Sequence, residues 1–203
     1  MKIGPKFKIA KRLGAAIFEK TQTPKFALSQ ARGGRTNTGR GGQASDYKKQ
    51  LIEKQKMRYT YGIAEKQLSR YVSDANQKVG HKPITVLMER LESRLDNVVY
   101  RLGFAKTRQQ ARQIVGHGHI NLNGRRMSIP SHKVSMNDII TIREGSMSSP
   151  LFLTLSETHE AIGVPTWLSL DVKKLTATVT GTPVYNPTET LFDPELVMEF
   201  YSR

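Results

Sequence analysis

Three groups of residues in this chain have types and spacings that could do chemistry. In GHGHINLNGRR (116–126), His117 and His119 stand two apart, and His132 follows downstream. At that spacing two imidazoles share one side of a strand, and three could in principle bind zinc. Zinc sites usually add carboxylates or thiolates to close the shell. Here the neighbours are Arg125, Arg126 and Lys133, and the chain has no cysteine. That charge disfavours a cation, so neither metal nor cofactor is expected. The histidines are then polar residues on an exposed edge, or rings that stack on bases or donate to phosphate. The second group is the Gly/Arg loop ARGGRTNTGRGG (31–42), which lacks the Gly-Lys-Ser/Thr triplet of a nucleotide-triphosphate site. The third is Arg94-Leu95-Asp96. No Ser-His-Asp pattern, thiol or legible carboxylate pair supports catalysis.

A short helix and a hairpin must position the first group. In AKTRQQARQIVGHG, Thr107 fits an N-cap, Gln110 completes a capping box, and Gly116 closes the helix. Ala111, Ile114 and Val115 are expected to face inward, with Arg108 and Arg112 one turn apart on the outer face. Ile120 and Leu122 then alternate with polar residues. Asn123-Gly124 signals a two-residue hairpin turn, because both positions need positive φ. A capped helix start offers N–H donors and the positive dipole end. With Arg108, Arg112, Arg125 and Arg126, and no acids close by in the sequence, it makes one phosphate-binding surface. Such a surface suits folded RNA, although DNA shares the electrostatics.

Upstream, residues 1–46 read as largely irregular. DYKKQLIEKQKMRYTYG (46–62) reads as a basic helix capped near Ser45 or Asp46 and ended by Gly62. Tyr47, Leu51 and Ile52 share one side of it, and Lys48, Lys49, Lys54, Lys56 and Arg58 take much of the rest. A second helix covers Ala64 to about Gln77, with Leu68, Tyr71 and Val72 inward. A third runs from about Val86 to Leu102 along the stripe Leu87, Leu91, Leu95, Val98 and Leu102. Arg90, Arg94 and Arg101 share another side, and Gly103 fits the left-handed residue past its end. DIITIRE (138–144) supplies a strand. WLSLDV and TATVT supply two more, and PELVMEFYSR a final helix or strand.

Charge narrows the partner. The 203 residues carry a net charge of +15. Residues 1–45 hold ten Lys/Arg against one acid, Glu19, whereas residues 145–203 hold three against seven. So uneven a surplus favours a polyanion-binding face over a generic solvated surface. No apolar run is long enough to span a bilayer. The basic residues are spread over several elements rather than one amphipathic helix, which argues against a membrane partner. The basic start lacks the apolar core of a secretory signal.

Residues 89–144 resemble the RNA-binding domain named after ribosomal protein S-four of the small subunit. The motifs that carry the resemblance are Arg94-Leu95-Asp96-Asn97, Arg101-Leu102-Gly103, Thr107-Arg108, Ala111-Arg112-Gln113, His119 and Asn123-Gly124-Arg125. It extends through Gly4-Pro5-Lys6, Ser45-Asp46-Tyr47, Glu53-Lys54-Gln55-Lys56, Tyr61-Gly62, Pro165-Thr166-Trp167-Leu168 and Glu199-Phe200-Tyr201-Ser202. Because it begins at Gly4, no cleavable transit peptide is expected.

The resemblance implies an α+β fold with four parts. These are a basic, largely irregular rRNA-binding extension (1–46), a helical domain (47–88), an inserted αα-plus-β-hairpin RNA-binding domain (89–150) and a mixed segment packing back on the helical domain (151–203). It implies a non-enzymatic constituent of the small ribosomal subunit that binds its rRNA early in assembly. Ribosomal protein S-five would be a neighbour, and the channel through which mRNA enters would lie close by. In the RNA-binding domain the expected RNA contacts are Arg94, Lys106, Thr107, Arg108, Gln110, Arg112, Gln113, His119, Asn121, Asn123, Gly124 and Arg125. Upstream they are Lys6, Lys8, Arg12, Arg35, Arg40, Lys48, Lys54, Lys56 and Arg58. Pseudouridine synthases carry the same small domain and an Arg-Leu-Asp with a catalytic Asp, but in a separate domain. Asp96 is therefore read as structural, a helix-surface carboxylate positioning nearby arginines.

Two departures from the family stand out. Some relatives carry four zinc-binding cysteines near the start; this chain has none, so order in 1–46 is expected to come from RNA. Arg40 matches one basic residue presented to mRNA, but Gln43 stands where another is usual. Glu65–Val72 and Arg12-Leu13-Gly14 look closer to cyanobacterial and plastid members, so the resemblance favours a plastid ribosome, with a bacterial cytoplasm as the alternative.

Overall fold

The computed structural model describes residues 3–32, 45–153, 163–172 and 174–202. The chain divides into two compact units, Met1–Ile84 with Asn186–Arg203, and Thr85–Tyr185. The fold is α+β.

In the first unit, helices α1 (Lys6–Leu13) and α2 (Pro24–Arg32) flank a 3-10 turn at Glu19–Thr21. Residues 1–46 were expected to be irregular; the described part is instead helical. Ala10, Phe18 and Phe26 form a small apolar core, with Phe7 and Tyr59 packed against it. Phe7, Phe18 and Phe26 supply the apolar area that packs these short helices together.

Helix α3 (Asp46–Tyr61) is capped by Ser45, whose hydroxyl accepts from the Lys48 N–H, and Gly62 ends it at φ 62°. Helix α4 (Glu65–Gln77) buries Leu68, Tyr71, Val72 and Ala75. The expected inner face of α3 is corrected. Gln50, Lys54, Met57 and Tyr61 are buried, while Tyr47 is half exposed. The reason is the chain's last helix, Pro194–Tyr201, which packs on α3 across 140 residues of sequence.

The second unit holds α5 (Pro83–Glu92, apart from its first turn), α6 (Leu95–Arg101), α7 (Arg108–Gly116) and the short α8 (Glu144–Met147) and α9 (Pro150–Leu153). The terminal helix, Pro194–Tyr201, is then α10. A single helix from Val86 to Leu102 was expected; the structure breaks it at Ser93-Arg94. Arg94 is extended, with φ −68° and ψ 136°. The Leu95 and Asp96 N–H groups donate to the carbonyls of His132 (2.9 Å) and Pro130 (3.0 Å) rather than back along a helix. Asn97 Nδ2 takes over the freed Glu92 carbonyl at 3.1 Å. Leu91 and Leu95 keep a four-residue spacing through the break, so the apolar stripe continues and periodicity alone cannot register it.

Five antiparallel strands form one sheet in the order β2-β1-β3-β5-β4: β1 Ile120–Leu122, β2 Arg125–Met127, β3 Ile139–Ile142, β4 Leu168–Asp171 and β5 Thr176–Val179. Strand β5 pairs with β3, Ile140 opposite Ala177. Segment 151–203 was expected to pack back on the helical domain. Its strands instead extend the sheet of the RNA-binding unit, while Asn186–Arg203 does join the helical unit, with Phe192 against Tyr61 and α10 on α3 and α4. One core runs through this unit, from Leu95, Val98 and Leu102 through Ala111, Ile114 and Val115 to Ile120, Ile140, Ala177 and Val179.

Candidate nucleic-acid interface

The start of α7 is organised by Thr107, whose hydroxyl accepts from the Gln110 N–H at 3.1 Å. Gln110 Oε1 reaches back to the Lys106 N–H at 3.0 Å, one residue earlier than a capping box requires. The first turn also presents the positive end of the helix, beside exposed Lys106. At the other end Gly116 is helical, and Gly118, at φ 74°, takes the left-handed conformation. A Cβ on Gly118 would run into the Arg126 guanidinium.

Arg108 and Arg112 are fixed, not free on a solvated face. Arg108 Nε donates to Asn97 Oδ1 at 2.8 Å, and its guanidinium lies 4.4 Å from the centroid of the Tyr100 ring. Arg112 donates twice to Asp96 Oδ2, at 2.8 and 2.6 Å. The expectation that acids are missing near these arginines is corrected, because α6 carries Asp96 under α7; Asp96 positions arginines as expected, but it is buried beneath them and not on the helix surface. Asp96 also accepts from Arg94, at 3.0 Å on Oδ1 and 2.8 Å on Oδ2. Glu92, itself buried, holds Asn97 Nδ2 at 2.9 Å and Arg101 Nε at 3.0 Å. Two buried carboxylates, with Asn97 holding Arg108, thus orient four arginines and leave a surplus of positive charge on this face.

The same geometry separates the expected contacts. Arg94 is 3% exposed and sits inside the clamp, out of reach of a ligand. Asn123 is a framework residue: its Nδ2 donates to Asp138 and its Oδ1 accepts the Ile139 N–H, both at 2.8 Å. It and Gly124, at φ 51° and 77°, make the two-residue turn between Leu122 and Arg125. Lys106, Gln113, Gly124, Arg125 and Arg126 are exposed, and Asn121 is half-buried. Arg126 Nη2 donates to the His117 carbonyl at 3.1 Å.

His119 packs edge-on to Phe152, stacks with His117 at 6.1 Å, and has Nδ1 2.9 Å from Ser146 Oγ. Burial lowers its pKa below the ordinary 6.5, and the charges of Arg143, His117 and Arg126 lower it further. At neutral pH it is therefore an uncharged ring. Among the described residues no group of three or more His, Asp or Glu is placed to hold a metal.

In the first unit, Lys8, Arg12 and Lys48 are exposed, and Lys6 lies 5.7 Å from the Phe18 ring centroid. Lys54 is drawn inside, 2.7 Å from Glu65 and 4.1 Å from the Phe200 ring centroid. Lys56 pairs with Glu53 at 2.6 Å and Arg58 with Glu65 at 3.0 Å. Lys54 and Arg58 tie α3 to α4 through Glu65, whereas Lys56 pairs within α3; Lys54 is buried and the other two are half-buried, all three with carboxylate partners. Burial alone would raise the Glu65 pKa, but hydrogen bonds from Lys54, Tyr201 and Arg58, with the Lys54 charge, lower it. Burial and the Glu65 carboxylate raise that of Tyr201. Sequence reasoning missed Asn97 and Tyr100 as orienting residues, although Asn97 stands within the quoted Arg-Leu-Asp-Asn motif. Arg35, Arg40 and Gln43 lie outside the described residues.

Residues 93–140 match the family model described as "S4 domain", and residues 1–92 that described as "Ribosomal protein S4/S9 N-terminal domain". Among curated proteins, the chain is 44% identical to "Small ribosomal subunit protein uS4" of Persephonella marina, over 98% of each chain. It is 43% identical to the protein of that name from Roseiflexus castenholzii, over 99% of this chain and 98% of the relative. It is 40% identical to that of Herpetosiphon aurantiacus, over 98% of each. The chain belongs to the uS4 family. The uS4-family match of the small domain stops at residue 140, within β3. The compact unit continues to Tyr185 through β4 and β5.

Proposed function

We propose that this uS4-family chain is a structural constituent of the small ribosomal subunit that binds its rRNA. The carrying observation is the arginine clamp. Asp96 and Glu92 spend their charge holding Arg94, Arg112 and Arg101, Asn97 holds Arg108, and the face that results, with Lys106 and Arg125, is positive and rigid. Phosphate contacts from such a face set register on a folded RNA. Lys106, Thr107, Arg108, Gln110, Arg112, Gln113, His119, Asn121, Gly124 and Arg125 are the proposed contacts there. Lys6, Lys8, Arg12 and Lys48 are proposed for the first unit.

The chain is proposed to have no enzymatic role. An Asp96 that is 3% exposed, with both oxygens taken by arginines, cannot attack or activate a base. The proposed location is the ribosome. The relatives named above are bacterial, and the plastid reading rests on Glu65–Val72 and Arg12-Leu13-Gly14 alone. Further proposed partners, on family resemblance, are ribosomal protein S-five and mRNA near the channel by which it enters.

The test is retention of the purified chain on small-subunit against large-subunit rRNA across a salt series. With about six phosphate contacts, affinity for the small-subunit RNA should fall about a thousandfold between roughly 50 and 200 mM salt. Equal retention on both RNAs, or no salt dependence, contradicts the proposal.

A further inference from the structure

Within the first unit, α1, the 3-10 turn and α2 line an open, solvent-facing cavity of about 750 Å³. This is within the roughly 300–1,000 Å³ that small ligands occupy. Four lysines line it, Lys8, Lys11, Lys20 and Lys25, around the ring of Phe7. All four are exposed, and none is in an ion pair with the carboxylates of the described residues. Their alkyl stems wall the cavity, and their ammonium groups remain free to reach its rim, as lysine stems and heads commonly divide. Phe7 is held from behind by fully buried Phe26, with ring centroids 5.6 Å apart, so the Phe7 ring is a fixed wall. Thr23 and Ser29 add hydroxyls to the lining.

We infer that this cavity receives one unpaired nucleotide of the RNA, its base against Phe7 and its flanking phosphates among Lys8, Lys11, Lys20 and Lys25. The inference rests on the rRNA-binding reading above and names a site within it. A duplex presents its phosphates on a convex ridge and hides its base faces, and it gains nothing from a recess walled by an aromatic ring. A base splayed out of a single-stranded loop or bulge fills such a recess and stacks in it. Four uncompensated cations at one rim match the phosphates on either side of that base. An acidic peptide would match the charge but leave the aromatic wall unused.

The experiment uses the full chain and small-subunit rRNA, with two variants. Lys11→Gln/Lys20→Gln/Lys25→Gln removes rim charge without touching the core. Phe7→Leu keeps an apolar side chain against Phe26 but removes the flat ring. Circular dichroism establishes that each is folded. Irradiation of the wild-type complex at ultraviolet wavelengths should cross-link a single nucleotide to the peptide containing Phe7, and both variants should lose that cross-link. Phe7→Leu should weaken binding roughly tenfold, the effect of losing one stacked base. The triple variant should flatten the slope of log affinity against log salt by about two, close to 0.7 for each cation removed from a single-stranded contact. If wild type binds the rRNA and both variants match it in affinity, slope and cross-links, the cavity is empty in the complex and the inference fails while the rRNA-binding reading stands. If wild type does not bind the rRNA, both fail. Saturable binding of adenosine monophosphate to the RNA-free chain, with the variants' RNA cross-links unchanged, assigns the cavity to a free nucleotide and overturns the RNA assignment.

Discussion

Replacing Asp96 with Asn changes one atom and breaks the clamp. Asp96 accepts four hydrogen bonds, two from Arg94 and two from Arg112. An Asn side chain keeps one oxygen and turns an NH2 toward a guanidinium donor whichever way the amide is oriented. Arg94, whose side chain is 3% exposed, loses the Asp96 counter-charge. Removing one partner of a buried ion pair costs about 3–5 kcal/mol. The lower end applies here, because Asn retains one acceptor and Arg112, 29% exposed, recovers water. A loss of about 3 kcal/mol in a unit of this size lowers its melting temperature by more than about 10 °C. Scanning calorimetry of the full chain should show the transition of the Thr85–Tyr185 unit shifted by that amount. In the cold, where the variant stays folded, rRNA affinity should also drop because Arg112 has lost the acceptor that aims it. A shift under about 3 °C would refute the assignment of Asp96 as the centre of the clamp.

Three further outcomes are expected. Lys54→Met should cost about 1–2 kcal/mol through loss of the Glu65 pair and the Phe200 contact, yet leave rRNA affinity unchanged in the cold; a binding loss would return Lys54 to the interface. Gly118→Ala should strain the turn into β1, because φ 74° disfavours a side chain, while the Arg126 guanidinium that a Cβ would meet ends a flexible, exposed side chain and can swing aside. A loss of about 1–2 kcal/mol by urea unfolding is expected, and an unchanged midpoint would contradict the left-handed conformation of Gly118. His119 resists protonation in the folded state, so the unfolded chain binds the extra proton first. The stability of its unit should therefore be full above pH 6.5 and decline as pH falls from there through the lowered native pKa. His119→Asn should show a smaller decline between pH 7.5 and 5.5, and equal declines would contradict the burial of that ring.

The local signals in the sequence were reliable where the partner groups are near in the chain. The Thr107 cap, the Asn123-Gly124 turn, the Gly62 and Gly103 ends and the inward faces of α4 and α7 all follow from steric rules within a few residues. What could not be read depends on distant partners. The break at Arg94 is made by the carbonyls of Pro130 and His132, and the inner face of α3 is chosen by a helix that starts at Pro194. Lys54 and Arg58 look like interface cations because Glu65 is not recognisable as their partner until α3 and α4 pack, whereas the i,i+3 pair Glu53–Lys56 was open to reading from spacing alone. The same limit concealed the clamp. Asp96 is sixteen residues from Arg112, and nothing in the local pattern assigns that carboxylate to that guanidinium. The α1–α2 core was missed because its three rings lie in a segment whose Gly, Pro and basic content reads as irregular.

The central claim is that the start of α7 and the β1–β2 hairpin face the RNA together. Hydroxyl-radical footprinting of the full chain on small-subunit rRNA tests it most directly, with wild type beside a Lys106→Glu/Arg125→Glu variant, both positions being exposed and outside the clamp. Wild type should protect a compact set of backbone positions, and the variant should lose one contiguous subset while keeping the rest. Identical footprints for the two proteins, or no protection by wild type, would contradict it.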